Sequence, residues 1–202
     1  MSPEVTPGKL LIFTAPSGAG KTTIVRHLLG HFGELAFSVS ATNRPMRPGE
    51  EDGVSYYFLS DEEFQARVAA GDFAEYEEVY PGRFYGTLRA EIDRIRATGR
   101  TVVFDIEVKG ATNIKRMYPE DSYAVFVQPP SAAVLFQRLR DRNTETEEQL
   151  RVRIARAEME LGYADAFDQV LVNDDLQVAL AEAEFIVRDL LDLPEDLAVE
   201  EE

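Results

Sequence analysis

A glycine-rich segment near the start of the sequence has the residue types of a phosphate-binding loop. Residues 15–22 read APSGAGKT, which is close to the pattern G-x-x-x-x-G-K-[ST]. Gly18 and Gly20 would let main-chain N–H groups converge on phosphate oxygens, and the positive end of a following helix would add to the attraction. Lys21 would reach the β- and γ-phosphates of a nucleotide, and the Thr22 hydroxyl would bind Mg²⁺. The segment therefore predicts a nucleotide site.

The loop departs from the pattern at one position, where Ala15 replaces the first glycine. Alanine is compatible with this position as long as its φ angle stays negative. The alternative is an incidental glycine-rich turn, which the context disfavours because an apolar run precedes the loop and a helical pattern follows it. The residues expected to contact the nucleotide are Ala15, Pro16, Ser17, Gly18, Ala19, Gly20, Lys21, Thr22 and Thr23.

An acidic residue ends a second apolar run at the point where a magnesium-nucleotide site needs one. Asp105 directly follows the run Thr101–Phe104, so it is our candidate for the water shell of the metal. The alternative is an aspartate that caps a helix or stabilises a turn, since acids are common where strands end.

Two arginine groups indicate further anion binding in a chain that is otherwise acidic. Arg44 and Arg47 lie in NRPMRPGE, whose prolines exclude a regular helix, so both guanidinium groups would project from an irregular loop. Between positions 138 and 156, four acids accompany six arginines: Arg138, Arg140, Arg142, Arg151, Arg153 and Arg156. For any single arginine of this group, a surface pair with glutamate is the alternative explanation.

A nucleotide loop combined with two arginine groups fits a phosphate donor that meets a phosphate acceptor. A phosphate monoester has a second pKa of about 6 and is mostly dianionic at neutral pH, so no general base has to create the nucleophile. The histidine content agrees with this interpretation. His27 and His31 are the only two histidines, and both follow the phosphate loop, where surface or capping roles are expected.

The elements that must position these residues alternate between strands and helices. Leu10–Thr14 is an apolar run, and the residues after the loop repeat at helical spacing. Further β-rich runs occur at Thr101–Ile106, Tyr123–Gln128 and Gln169–Val172, with amphipathic helices between them. This alternation predicts an α/β fold with a doubly wound parallel sheet. The tyrosine-rich stretch from 37 to 87 has a different pattern, and we interpret it as an insertion over the sheet.

The composition excludes several classes of protein. The chain has 202 residues, a formal charge of −16 and no cysteine. The charge disfavours broad attachment to nucleic acid or anionic membranes, and the lack of cysteine excludes disulfides and thiolate zinc sites. No apolar segment is long enough to span a bilayer, so we expect a cytoplasmic location. Seven acids between Asp189 and Glu202 predict a solvated acidic tail over 191–202.

Six motifs, in this order and spacing, resemble those of guanylate kinases: APSGAGKTT, FSVSATNRPMRPGEEDGVSYYF, EYEEVYPGRFYGT, DIEVKGA, RLRDRNTETEEQLRVR and VND. The resemblance implies a single domain over 9–190 with the three-layer fold of P-loop kinases. It also implies a lobe for the nucleoside monophosphate over about 38–88 and a helical lid over about 138–156. The implied reaction is ATP-dependent phosphorylation of GMP to GDP, with dGMP as a second acceptor and Mg²⁺ accompanying ATP.

The resemblance also implies roles for particular residues. The implied acceptor site consists of Ser40, Arg44, Arg47, Tyr56, Glu75, Tyr85, Thr87 and Glu107. The residues implied to act on the transferring phosphate are Lys21, Arg44, Asp105, Arg138, Arg142 and Arg153, and Asn173 falls where the family contacts adenine. Guanine presents two adjacent N–H donors, which the carboxylate of Glu75 would complement. Without the resemblance, Glu75 in its acidic run would be interpreted as a solvated surface residue.

Two departures from the family pattern affect details of this assignment. Glu107 stands where aspartate is more usual, and Asn143 replaces a common glycine. Two other functions are alternatives: a kinase for a different nucleoside monophosphate, and a guanylate-kinase-like module that binds peptides without catalysis. Lys21, Thr22 and Asp105 favour an active enzyme, since a module that has lost catalysis has no need of them.

Overall fold

Five parallel strands form the central sheet of the computed structural model, which describes residues 6–141 and 147–194. In spatial order the strands are β2 (Leu35–Phe37), β7 (Thr101–Asp105), β1 (Leu10–Thr14), β8 (Ser122–Gln128) and β9 (Gln169–Val172). Strand β1 lies in the middle and is completely buried, which explains its unbroken apolar sequence. Its carboxyl end meets that of β7, because Phe13 pairs with Asp105.

Helices cover both faces of this sheet. The helices that pack on its two apolar cores are α1 (Lys21–His31), α3 (Arg89–Arg96), α4 (Val108–Met117) and α7 (Leu176–Leu190). Two further helices, α5 (Ala132–Asp141) and α6 (Glu147–Leu161), and a 3₁₀ turn at Ala164–Ala166 lie between β8 and β9 in the sequence. The side chains of β1 alternate between two apolar cores. Leu11 and Phe13 pack with α1 and α7, whereas Leu10 and Ile12 pack with α3 and α4. The predicted three-layer α/β fold with a doubly wound parallel sheet is confirmed.

A second sheet of four strands is built from the stretch that the sequence marks as an insertion. Its order is β4 (Tyr57–Phe58), β3 (Ala41–Thr42), β6 (Arg83–Leu88) and β5 (Phe73–Tyr80), and the long pair β5–β6 is antiparallel. Helix α2 (Asp61–Ala70) packs on this sheet through the buried ring of Phe64, which stacks on Phe73. Ser60 and Glu63 form a capping box at the start of α2.

Helices α5 and α6 pack against each other through a small apolar cluster of Leu135, Leu139 and Ala157. Leu135 and Leu139 also lie against Gly18 of the phosphate loop, so α5 rests directly on that loop. Among the described residues, the helices include none whose length and apolar character would suit it to cross a membrane. Most of the expected acidic tail, residues 195–202, lies outside the described residues.

Candidate active site

The phosphate loop connects the carboxyl end of β1 to the first turn of α1. Gly20 is the N-cap of α1 and has φ 97°, a left-handed conformation that favours glycine. No side chain of the described residues caps this helix. Thr23 N donates to the Gly20 carbonyl at 3.1 Å, whereas the N–H groups of Lys21 and Thr22, which precede it, have no acceptor within the helix. An anionic ligand is the natural partner for such a helix end. Ala15 keeps a negative φ, as its place in the motif requires.

Lys21, Thr22 and Asp105 meet at the end of this loop. The Thr22 hydroxyl donates to Asp105 Oδ2 at 2.7 Å, and Lys21 Nζ lies 2.7 Å from Asp105 Oδ1. Lys21 Nζ also donates to the main-chain carbonyl of Ile106 at 2.7 Å. The alternative role of Asp105 as a helix cap is wrong, because the N-cap of α4 is Glu107. The carboxylate of Asp105 is instead aimed at the phosphate loop.

Glu75 is buried, although the sequence by itself would make it a solvated residue. Its side chain points from β5 toward α4, and the residue is only 7 % exposed. The Thr87 hydroxyl donates to Glu75 Oε1 at 2.6 Å from the paired position on β6. Burial raises the pKa of Glu75 to about 7, with a smaller contribution from the charge of Glu77, while the bond from Thr87 opposes the rise. Glu75 is therefore a carboxyl group close to half-ionised at neutral pH.

Arg44 forms an internal ion pair at the other end of the acceptor region. Its guanidinium donates to both carboxylate oxygens of Glu50, at 2.6 and 2.5 Å, and its Nε donates to the Tyr85 hydroxyl at 3.1 Å. The ring of Tyr56 lies under the guanidinium carbon at 4.9 Å. Hydrogen bonds from Arg44 and from the main chain of Arg47 lower the pKa of Glu50 to about 2. A phosphate that binds Arg44 must therefore compete with a carboxylate that is ionised at neutral pH.

These residues surround one open cavity of about 920 Å³. The predicted site residues that line it are Ala15, Pro16, Ser17, Gly18, Gly20, Lys21, Thr22, Thr23, Ser40, Tyr56, Glu75, Tyr85, Asp105 and Glu107. Arg44 and Thr87 stand directly behind this lining, each bonded to a residue that forms part of it. Ala19 is buried within the loop, and Arg47 is exposed on its own loop. The cavity thus joins the phosphate loop to the residues predicted to bind the acceptor.

Two of the predicted arginines, Arg138 of α5 and Arg153 of α6, are not part of this lining. Arg138 Nη2 donates to the main-chain carbonyl of Asn173 at 3.0 Å, and Arg153 Nη2 donates to the Tyr80 hydroxyl at 3.3 Å. The third predicted arginine, Arg142, and the neighbouring Asn143 lie outside the described residues. Asn173 is buried, and its side-chain amide donates to the carbonyl of Ala19 at 2.7 Å. Asn173 therefore holds the phosphate loop through the Ala19 carbonyl. Its predicted contact with adenine stays a prediction.

Two charged residues also shape the site, although the sequence predicts no site role for Glu50 and identifies Arg156 only as a member of the arginine group. Glu50 pairs with Arg44. Its position three residues after Arg47 in the same loop could have identified Glu50, because Arg47 N donates to Glu50 Oε2 at 2.8 Å. Arg156 of α6 contacts Glu160 at 2.8 Å and the cavity residue Glu107 at 3.3 Å. Arg156 also lies 3.6 Å from Glu77, so it links α6 to β5 and to the start of α4.

A parallel sheet with a phosphate loop at the carboxyl end of its central strand, and an acid at the end of the neighbouring strand, defines the class of P-loop nucleotide-binding proteins. Comparisons with known proteins narrow this class. The family model of guanylate kinase matches residues 7–190. The chain belongs to the guanylate kinase family.

Individual relatives agree with this assignment. The chain is 50% identical to a guanylate kinase of Bacteroides fragilis over 183 residues, covering 91% of this chain and 90% of that protein. It is 52% identical to a guanylate kinase of Salinibacter ruber, covering 90% of this chain and 96% of that protein. Among solved structures, guanylate kinase from Anaplasma phagocytophilum matches with a TM-score of 0.70 at 28% identity, covering 91% of this chain and 86% of that one.

Proposed function

We propose that this protein transfers the γ-phosphoryl group of ATP to GMP, and also to dGMP, releasing ADP and the nucleoside diphosphate. The observation that carries the proposal is the single cavity that has a phosphate loop at one end and a buried carboxyl group with tyrosine hydroxyls at the other. A donor and an acceptor nucleotide can therefore lie end to end in the same space. Family membership gives independent support.

Guanine is the base that fits the acceptor end. Its N1–H and exocyclic N–H₂ groups are adjacent donors, and the two oxygens of the Glu75 carboxylate are adjacent acceptors. Adenine has a lone pair instead of an N–H at N1, so it would pair poorly with the carboxylate, and an unpaired buried polar group costs about 1–3 kcal/mol. The hydroxyl of Thr87 holds the carboxylate in place through Oε1, and Ser40 adds a further polar group to the wall of the cavity.

The acceptor phosphate needs charge neutralisation more than activation. As a dianion at neutral pH it can attack the γ-phosphorus directly, forming a new P–O bond while the bond from the γ-phosphorus to the bridging oxygen of ADP breaks. Four of the five N–H donors of Arg44 are occupied by Glu50, Tyr85 and the carbonyl of Pro45. The acceptor phosphate therefore binds Arg44 by displacing Glu50, while Tyr85 and Tyr56 stay beside the guanidinium.

The donor phosphates bind where the loop already provides donors. The first N–H groups of α1 would hold the β-phosphate, and Lys21 would leave Asp105 to neutralise the β- and γ-phosphates. The oxygens of Thr22 and Asp105 are hard ligands that meet at 2.7 Å, so they suit Mg²⁺. These two residues would hold the ion, which supplies positive charge to the phosphate oxygens of ATP when bound.

The remaining arginines would act when the site closes. We infer a lobe over about 38–88 and a lid over about 138–156 within the domain 9–190. Closure would bring Arg138, Arg142 and Arg153 toward the transferring phosphate and would exclude water. Small-angle scattering should register a more compact particle when a bisubstrate ligand is added, and an unchanged profile would contradict the inferred closure.

An acceptor panel tests the proposed function. We expect release of ADP with GMP and dGMP, and no release above background with AMP, CMP or UMP under the same conditions. Turnover with another nucleoside monophosphate would instead identify a kinase of different specificity. Absence of turnover with all five acceptors would identify a module that binds without catalysis. In either case the proposal is wrong.

A further inference from the structure

A cluster of three potential metal ligands lies outside the active-site cavity. His27 and His31 are four residues apart on α1, so their side chains share one face of that helix. Glu184 projects from α7 toward the same place, and Glu184 Oε1 lies 2.5 Å from His27 Nε2. One ligand atom from each of the three residues lies within 4.8 Å of the other two. None of the three residues lines the cavity of the active site.

We propose that His27, His31 and Glu184 bind one transition-metal dication, with Zn²⁺ as the best fit, and that the ion ties α1 to α7. Two imidazoles and one carboxylate are a donor set that Zn²⁺ accepts, with water in the fourth position. Two histidines at i and i+4 supply both nitrogens from one helix, so the chain has little to rearrange. These are the only histidines of the chain, and it has no cysteine, so the cluster is its single source of the imidazole and thiolate ligands that Zn²⁺ prefers.

The hydrogen bond of His31 prepares that ring for metal binding. His31 Nδ1 donates to the main-chain carbonyl of His27 at 3.0 Å. Because a carbonyl only accepts, Nδ1 must carry the proton, which leaves a lone pair on Nε2. Histidines that bind metals are commonly oriented in this way, by donating their second N–H to a carbonyl or a carboxylate. The two rings already face each other with centroids 4.0 Å apart.

The distances require only a small adjustment. Tetrahedral ligands at about 2.0 Å from zinc stand about 3.3 Å apart. The contact of 2.5 Å between His27 and Glu184 would therefore open slightly as the metal replaces the proton between them. His31 is exposed, so its ring can move toward the ion without disturbing the core. The glutamate and His27 are both partly exposed, which gives the ion a path from solvent.

Because the cluster joins two helices, a bound metal should stabilise the folded protein. Helix α1 begins at Lys21 of the phosphate loop, and α7 is the last helix of the described chain. Both helices pack on the same apolar core, through Leu28 of α1 and Ala183 and Val187 of α7. An ion that binds only the folded protein raises the melting temperature by mass action. At a free metal concentration a hundredfold above the dissociation constant, the rise should be about 5–10 °C.

Metal titration of the whole chain tests this site. The protein is stripped with a chelator and titrated with Co²⁺ without nucleotide, and we expect one equivalent to produce the intense visible bands of tetrahedral coordination. Zn²⁺ should then displace the cobalt and raise the melting temperature. His31→Ala should weaken Zn²⁺ binding about tenfold or more and abolish the cobalt bands. Since His31 is exposed and outside the catalytic machinery, GMP kinase activity of this variant should match the parent.

Two matched glutamate substitutions control the interpretation. Glu184→Gln removes a proposed ligand and should behave like His31→Ala. Glu182→Gln removes a carboxylate two residues away on the same helix, whose contact is with Gln169 at 3.5 Å, and should bind Zn²⁺ like the parent. Equal Zn²⁺ affinity in the parent and in His31→Ala would overturn the proposal, as would an absence of tetrahedral cobalt bands in the parent. Neither result bears on phosphoryl transfer, which is measured separately.

Discussion

The two ends of the cavity are built in different ways. At the donor end, a continuous stretch of eight residues provides the loop, the lysine and the hydroxyl, and most of its binding groups are main-chain N–H groups. At the acceptor end, the groups are side chains from β5, β6 and the loop after β3, spread in sequence from Arg44 to Thr87. A main-chain site survives most substitutions nearby, whereas a side-chain site depends on each member and on whatever holds that member in place.

The cations at the two ends are also held differently before ligands bind. Lys21 is paired with Asp105, an acid that also receives the Thr22 hydroxyl and would remain in the site beside the metal. Arg44 is paired with Glu50, an acid that the incoming phosphate would displace under the proposed function. Removing the cation therefore has different consequences at each end: at the donor end a charge is missing from the transferring group, while at the acceptor end a repulsive carboxylate is also exposed.

Lys21→Ala should have the largest effect. We expect kcat to fall about 10²–10³-fold, because one donor to the developing charge on the transferring phosphate is lost. The KM for GMP should change little, since Lys21 is at the other end of the cavity. Lys109→Ala is the matched control, because Lys109 is exposed and pairs only loosely with Glu77 at 3.4 Å. Steady-state kinetics with a coupled assay for ADP measures both variants, and near-parental kcat in Lys21→Ala would refute its role.

Arg44→Ala should come next and should act on the acceptor. We expect the KM for GMP to rise about 100-fold, as charged hydrogen bonds worth about 3 kcal/mol are lost, with little change in the KM for ATP. Part of this rise comes from Glu50, which is left unpaired beside the phosphate. The double variant Arg44→Ala with Glu50→Gln should therefore bind GMP more tightly than Arg44→Ala alone. If the double variant were no better, Glu50 would not compete with the phosphate.

The pH dependence of GMP binding isolates Glu75. Because burial raises its pKa to about 7, the empty protein holds a proton on this carboxyl below that pH, and guanine needs both oxygens as acceptors. The KM for GMP should accordingly be about tenfold higher at pH 6 than at pH 8. Glu75→Gln should raise the KM at every pH and remove this part of the dependence. The titration of the GMP phosphate itself is common to both proteins, so the difference between the two profiles reports Glu75.

The donor end could be predicted from local sequence because its groups are neighbours in the chain. The apolar run of β1, the loop and the spacing of α1 occur together within 10–31, and the structure has them there. Asp105 could be assigned because parallel strands bring their carboxyl ends to one edge, and β1 and β7 are adjacent. Local sequence pattern was enough to predict a site residue wherever its neighbour in the site could be inferred from the predicted parallel sheet.

Apart from the anion site at Arg44 and Arg47, the acceptor end could not be predicted from local pattern. The run EYEEVY alternates polar residues in a way typical of a solvated strand, and Glu75 is buried because α4 covers that end of β5. The pairing of Arg44 with Glu50 depends on an irregular loop that has no periodicity to interpret. The link from Arg156 to Glu107 joins residues 49 apart in sequence. Only the family resemblance identified Glu75 as a site residue, since the burial of a residue depends on which other parts of the chain cover it.

The smallest predicted effect concerns the contact that holds Glu75 from behind. A Cβ added at Gly110 of α4 would lie 2.7 Å from Glu75 Oε2, too close for an undisturbed carboxylate. Gly110→Ala should therefore tilt the carboxylate away from guanine and raise the KM for GMP several-fold, though less than Glu75→Gln does, while the KM for ATP stays unchanged.

Gly30→Ala is the matched control, because a Cβ there meets no atom within 4 Å and the residue also lies in a helix. Gly30→Ala should leave both KM values unchanged and stabilise the protein by about 0.5–1 kcal/mol. Equal KM values for GMP in the two variants would mean that Glu75 can bind guanine from a shifted position. The acceptor end would then depend less on the groups that hold each side chain in place than its comparison with the donor end suggests.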